Sequence, residues 1–253
     1  MGCPEWQVLV YSAAMRREKI GSLDVRLAGG TDGSGGGSGL AVILLHGFGA
    51  PGEDLVPLAE ALTVPKGTRF LFPEGPLSLS FGYGDARAWW LIDMARLEAD
   101  RAAGRVRDLS NEVPRGLPQA REVVENFLTQ LPRAMPIDHK KTIIGGFSQG
   151  AMLTCDIVMR TAFPFAALVQ LSGTLLARQD WRPALGKRTG LPVFQSHGVQ
   201  DQLLPYMMAE RLREELKQAG LSVEWHSFRG GHEIPEPVLR QLSLFLTRVT
   251  TKT

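Results

Sequence analysis

Apolar residues along this chain fall into two alternating patterns. Short runs that are continuous or nearly so mostly end in Gly or Pro: "LAVILLHG" from 40, "RFLFPEG" from 69, "TIIGGF" from 142, "FAALVQLSG" from 165, "PVFQSHG" from 192 and "VEWHSF" from 223. Runs of this length predict strands buried on both faces. Between them, apolar positions recur at helical spacing. Leu55, Leu58 and Leu62 form one stripe; Ala120, Val123, Val124, Phe127, Leu128 and Leu131 form another, with Pro118 suited to its first turn. Met208, Leu212 and Leu216 make a third, ended by Gly220, and Val238, Leu242, Phe245, Leu246 and Val249 a fourth.

Strand alternating with helix predicts an α/β fold, a mostly parallel sheet with helices on both faces. Ahead of it, "WQVLVYS" from 6 and "SLDVRLA" from 22 read as two edge strands. Residues 28–39, "AGGTDGSGGGSG", carry too little apolar surface to offset their ordering entropy and read as a flexible loop. Residues 91–118, rich in Arg, Asp and Glu, break the alternation and are expected as a cap or lid-like excursion over one end of the sheet. At 253 residues and 44% hydrophobic, the chain is long enough for one large core, so a single domain over 1–253 is expected.

Charge removes some functions from consideration. With 28 basic against 26 acidic side chains and a net charge of +2, there is no footprint for nucleic acid. Two cysteines, Cys3 and Cys155, point to a reduced, cytoplasmic chain without disulfides. Gly2 is followed by Trp6 where a myristoylation signal needs Ser or Thr. The apolar run after it is short and follows Glu5 instead of a basic cluster, so no secretory leader is expected. No segment approaches membrane-spanning length. Oligomeric state, a homodimer included, is left open.

Ligands of such a sheet gather outside the carboxyl ends of the strands. There the chain places "GFSQG", Gly146 to Gly150, a Gly-x-Ser-x-Gly with a strand before it and a helical pattern after it. A sharp strand-to-helix turn strains the central residue and exposes its side chain, which makes Ser148 a candidate nucleophile. A bare turn with an incidental serine is the alternative, and the partners decide between them. A serine hydroxyl needs a base, and the base works best with a carboxylate fixing its tautomer. In chain order, Asp201 follows the run at 192–198, and His232 follows the run at 223–228 in a glycine-flanked loop. His197 reads as a structural residue of a strand end. His226 within a strand, His139 in a polar connection and His46 before a loop are poorer bases. Asp156 is about two turns along the helix, and Asp180, after the run at 165–173, is an alternative acid. An oxyanion would take the backbone N–H of Gln149 and, from the loop "HGFGAPG", that of Phe48.

Taken together, "LLHGFGAPGEDLVPLAEAL", "FLFPEGP", "RAWWLID", "IIGGFSQGAM", "ALVQLSG", "SHGVQDQLLPYMMAERLREELKQAG" and "FRGGHEI" resemble, in order and spacing, the phospholipase/carboxylesterase family of α/β-hydrolases, from Leu40 to about Leu246. The resemblance implies an α/β-hydrolase fold with Ser148 as nucleophile, Asp201 as acid, His232 as base, and Phe48 and Gln149 as oxyanion donors. It also implies that the Trp89-Trp90 pair lines the cleft and that Leu203 and Leu204 contribute to an acyl pocket. The expected reaction is hydrolysis of a small-molecule carboxylic ester of short to medium acyl chain. A thioesterase or lysophospholipase is the rival within the class, and a ligand-binding protein without turnover the rival outside it. Serine instead of aspartate at the elbow disfavours a dehalogenase. No cofactor is implied: the histidines lack metal-ligand spacing, and the glycine-rich stretch lacks the Lys-Ser/Thr ending of a phosphate-binding loop.

Overall fold

The computed structural model describes residues 15–79, 85–104 and 108–251. Strands β1 (Arg16–Ile20), β2 (Leu23–Gly30) and β3 (Ser34–Gly36) precede β4 (Ala41–Leu45), after which α1 (Leu58–Ala61) leads to β5 (Arg69–Pro73). A short antiparallel pair, β6 (Leu77–Ser78) and β7 (Arg87–Ala88), forms a second sheet. There follow α2 (Met94–Ala102), α3 (Leu117–Ala134), β8 (Thr142–Phe147), α4 (Gln149–Arg160), β9 (Ala167–Leu171) and α5 (Arg178–Leu185). The chain closes with β10 (Pro192–Gly198), α6 (Tyr206–Gln218), β11 (Ser222–Phe228) and α7 (Glu236–Thr250).

Among the described residues the main sheet runs β1-β2-β5-β4-β8-β9-β10-β11, with β3 beside β2. From β5 to β11 every pair is parallel, while β1 with β2 and β2 with β5 are antiparallel. This is the mostly parallel, helix-covered sheet of an α/β-hydrolase, with antiparallel strands at its amino-terminal edge. The continuous apolar runs explain its layers. Alternate residues of a strand point to opposite faces. In β4, Ala41, Ile43 and Leu45 join the core under α3, α4 and α6, while Val42 and Leu44 join the core under α1 and α7.

The order also fixes a crevice. From β4 the chain turns one way to β5, then returns to place β8 on the other side of β4. The loops leaving β4 and β8 therefore diverge at their carboxyl ends, which is where open parallel sheets bind ligands.

Two stretches differ from expectation, each for a physical reason, and a third cannot be compared. The expected edge strand at 6–12 lies outside the described residues. The observed edge strand is β1, "RREKI", whose side chains alternate between partly and fully exposed until Ile20. An edge strand only partly covered, with Ile20 as its one buried residue, leaves no apolar run to read. The stretch 28–39, expected as a loop, is partly sheet: Ala28, Gly29 and Gly30 complete β2, and Ser34–Gly36 pairs with it. Backbone pairing needs no side chains, so composition misses it. Asp32 supports the turn between them, its Oδ1 accepting the N–H of Ser34 and Gly36 at 2.8 Å each. Those N–H donors, Gly36 first, hold its carboxyl down at about 2. Finally, the Leu55, Leu58 and Leu62 stripe is buried, but mostly through turns, because α1 is only four residues long.

Candidate active site

Ser148 caps α4 with φ 54° and ψ −115°, a conformation that costs an L-residue on the order of 1–3 kcal/mol. The neighbours enforce it. Its N–H donates to the Leu171 carbonyl at 2.9 Å, and the helix that follows is buried from Gln149 to Met159. Strand and helix meet so closely that only glycine fits on either side. A Cβ on Gly146 would stand 2.5 Å from the Leu45 carbonyl oxygen, and one on Gly150 would collide with that same oxygen. Gly150→Ala is therefore expected to cost about 3 kcal/mol of stability or more, read from the midpoint of urea unfolding at unchanged m.

Asp201 lies beyond β10 and His232 beyond β11, and the structure brings them together: His232 Nδ1 is 2.6 Å from Asp201 Oδ2. The other carboxylate oxygen, Oδ1, accepts the N–H of Leu203 and of Leu204, both at 2.9 Å. Burial works to raise the Asp201 pKa, but the hydrogen bond from His232, the Leu204 N–H and the two nearby imidazoles outweigh it and leave the carboxyl below its ordinary value. The acid is thus ionised and held from both oxygens. His232 packs its ring on Phe147, the residue before Ser148, with centroids 4.8 Å apart. Ser148 and His232 line the same cavity.

Of the competing residues, all but His197 are held in contacts of their own. Asp180 lies on the exposed surface of α5, paired with Arg160 at 3.2 Å. Asp156 is a buried residue of the elbow helix itself, accepting from Arg121 at 2.7 Å and from the Trp181 indole at 2.8 Å. His226 pairs with Glu224 and stacks on Phe194, and His139 packs edge-on against Phe163. His46 is buried and neutral: it accepts the Gly75 N–H at Nε2, so its Nδ1–H donates to the Gly47 carbonyl, both at 2.8 Å. Burial lowers its pKa, against a smaller opposing pull from that carbonyl. It shapes the loop after β4. His197 stands beside Asp201, with Nε2 2.8 Å from the Leu204 carbonyl and 3.3 Å from Asp201 Oδ2.

The loop bearing Phe48 reaches the elbow: a Cβ on Gly47 would stand 3.4 Å from Ser148 Cβ. It is zipped to β7, because Gly49 donates to the Arg87 carbonyl at 2.8 Å and Arg87 N–H to the Ala50 carbonyl at 3.0 Å. Beneath, the buried Glu74 carboxylate takes Arg26 at 2.7 Å and Arg87 at 2.8 Å. Gln149, as first residue of α4, carries one of the N–H groups a helix leaves without an intrahelical acceptor. Its side chain is occupied elsewhere, accepting the Trp89 N–H and donating to the Trp90 carbonyl, both at 2.9 Å. Sequence reasoning missed this clasp and the Glu74 cluster, since neither has a periodic signature.

The Trp pair divides. Trp90 lines the cavity; Trp89 does not, and its indole N–H donates to the His46 carbonyl at 3.0 Å. Both residues fall in a bend just after β7, where the chain turns and sends the two rings in different directions. The cavity holds about 430 Å³. Leu203 stands half-exposed at its rim, Leu204 is buried in its wall, and Met152, one turn along α4 from Ser148, joins them. The i, i+4 spacing from Ser148 to Met152 was the available signal for that residue. Much of the remaining wall is the excursion itself: Leu91, Ile92, Met94 and Leu97 from α2 and its approach, with Leu109 and Pro114 beyond. An ion pair between Arg96 and Glu112, 2.8 Å, joins the two sides of that excursion. Among the described residues, no cluster of three or more His, Cys, Asp or Glu side chains is placed to hold a metal ion, and no helix is long and apolar enough to cross a membrane.

Comparison with known proteins gives this geometry its context. The model of the phospholipase/carboxylesterase family matches residues 38–250. Acyl-protein thioesterase 1 of Candida albicans is 26% identical over 232 residues, covering 87% of this chain and 96% of the relative. Acyl-protein thioesterase 1 of Eremothecium gossypii is 29% identical over 175 residues, 67% of this chain and 69% of that protein. Among solved structures, esterase PE8 superposes with a TM-score of 0.72 at 25% identity, covering 88% of this chain and 97% of that one. A carboxylesterase from Mesorhizobium loti shares the fold at a TM-score of 0.70 and 16% identity, covering 92% and 98%. With the family model covering every strand and helix from β4 to α7, the chain belongs to the phospholipase/carboxylesterase family of α/β-hydrolases and is a hydrolase of that family.

Proposed function

We propose that this hydrolase cleaves small-molecule carboxylic esters of short to medium acyl chain through Ser148, His232 and Asp201. The observation that carries the reading is the 2.6 Å contact between His232 and Asp201 at the mouth of a cavity that also holds the strained Ser148. His232 takes the Ser148 proton at Nε2 as the hydroxyl attacks the acyl carbonyl. The Phe48 and Gln149 amides hold the oxyanion, and His232 then protonates the leaving alcohol. Water, deprotonated by the same imidazole, releases the acid and restores the serine. Asp201 stays ionised throughout, orienting the ring and stabilising its charged form. A cavity of about 430 Å³ falls toward the lower end of the ligand-pocket range, about 300–1,000 Å³, and suits a modest acyl group.

A second reading is favoured by the relatives named acyl-protein thioesterase 1: the same machinery acting on thioesters of acylated proteins. A chain-length series of activated esters, run beside matched thioesters, tests both. The ester reading expects kcat/KM to peak at short to medium chains, with esters at least equal to thioesters. A maximum at long chains, or a preference for acylated peptides, overturns it in favour of the second.

A further inference from the structure

His197 looks at first like the end of a strand and nothing more. It is the penultimate residue of β10, fully buried, and pairs in register with Ser227 of β11. Its surroundings say otherwise. Nε2 faces two oxygens, the Leu204 carbonyl at 2.8 Å and Asp201 Oδ2 at 3.3 Å. Neither oxygen can donate, so the hydrogen must be on Nε2. The other ring nitrogen, Nδ1, is buried without a hydrogen-bond partner. A second proton there would be stranded, so the ring is neutral. The titratable groups around it are Asp201 on the loop after β10, His232 on the loop after β11 and Tyr206 on α6, whose ring centroid is 6.3 Å away.

We propose that His197 is a positioning residue for the proposed relay: its Nε2–H donates to the Leu204 carbonyl at 2.8 Å, which fixes the acid loop, and sits 3.3 Å from the carboxylate oxygen that holds His232. Asp201 is then held from both oxygens, by the Leu203 and Leu204 N–H on Oδ1 and by His232 on Oδ2, with the His197 Nε2–H dipole beside Oδ2. A neutral donor suits this place. It restrains rotation of the carboxylate without cancelling the negative charge that His232 needs when it becomes an imidazolium. Burial lowers the His197 pKa, its largest influence, which keeps the ring neutral while His232 cycles. Because Leu204 also walls the cavity, the bond to its carbonyl ties the acid loop to the substrate wall.

The inference rests on the proposed role of Asp201 and His232, and the test separates the two. His197→Gln can present an N–H near the Nε2 position, whereas His197→Met has similar length and no donor. On an activated ester, His197→Met is expected to lower kcat about 3- to 10-fold with KM unchanged, the loss of the neutral hydrogen bond that fixes the acid loop. A carboxylate with one favourable dipole fewer beside it holds a proton on its partner more firmly, so the acid limb of kcat/KM moves up by about half a unit of pH. His197→Gln recovers most of kcat and returns the limb. A His197→Met enzyme equal to wild type overturns the proposal, as does a His197→Gln enzyme impaired as much as Met, which indicates packing alone. Should neither variant fold, the ¹⁵N spectrum of the wild-type histidines decides: a neutral Nε2–H tautomer across about pH 5–8 supports it, and Nδ1–H overturns it. Ser148→Ala assayed in parallel keeps the failures apart. An active Ser148→Ala enzyme sinks the relay, whereas an inert one beside an unaffected His197→Met sinks only the role of His197.

Discussion

Ser148→Ala is expected to lower kcat for an activated ester by about 10⁴- to 10⁶-fold while KM stays within a few-fold of wild type. The loss falls on kcat because the hydroxyl makes its bond only as the transition state forms; the cavity wall that binds the ground state is untouched. The fold should tolerate the change. Alanine removes one oxygen from a side chain at the mouth of the cavity, and the strained backbone is held by its own N–H to Leu171 and by the glycines on either side. Unfolding at the wild-type midpoint, with turnover reduced to that of the oxyanion site alone, is therefore the paired result. A loss of less than about tenfold would mean that hydrolysis does not pass through an acyl-serine.

Asp201→Asn ranks second, with an expected loss of about 10⁴-fold in kcat. The mechanism differs. Asparagine keeps the shape but can turn an N–H₂ toward His232 Nδ1, which favours the tautomer with the hydrogen on Nε2, where the base needs a lone pair. It also withdraws the charge that stabilises the imidazolium. A stability measurement distinguishes this from simple damage, and its sign follows from the lowered Asp201 pKa. A carboxyl whose folded value lies below its unfolded one contributes stability that is present above the unfolded value and is lost as pH falls through the folded value. Wild type should therefore lose stability below about pH 4, and Asp201→Asn should lose less over that interval. Equal acid slopes in the two proteins would contradict the placement of Asp201 as an ionised, multiply bonded acid.

What the sequence made legible follows from where each residue stands relative to an apolar run. Ser148, Asp201 and His232 each come just past a strand whose side chains are buried on both faces or packed on one, so periodicity points to the rim where they meet. Glycines around Ser148 add a local signal, since a close strand-helix contact leaves no space for Cβ. The substrate wall was harder to foresee. Helix α2, "MARLEADRA", is mostly exposed, and of its apolar residues only Leu97 is partly buried, so no stripe marks it. Which of Trp89 and Trp90 faces the cavity depends on the bend after β7, and neighbouring identical residues carry no such information. His197 was hidden for another reason. A histidine before glycine at a strand end reads as a turn, and only the fold reveals that the chain four residues later curls its carboxylate back beside it.

Placing much of the cavity wall in a segment outside the sheet has an evolutionary consequence. The strands and elbow can stay constant while that wall is exchanged, provided that Leu109 in the core and the backbone bonds of Ser110 and Glu112 to Arg178 and Ala177 are kept. A transplant of the segment from a relative, with those anchors in place, is the natural unit of redesign.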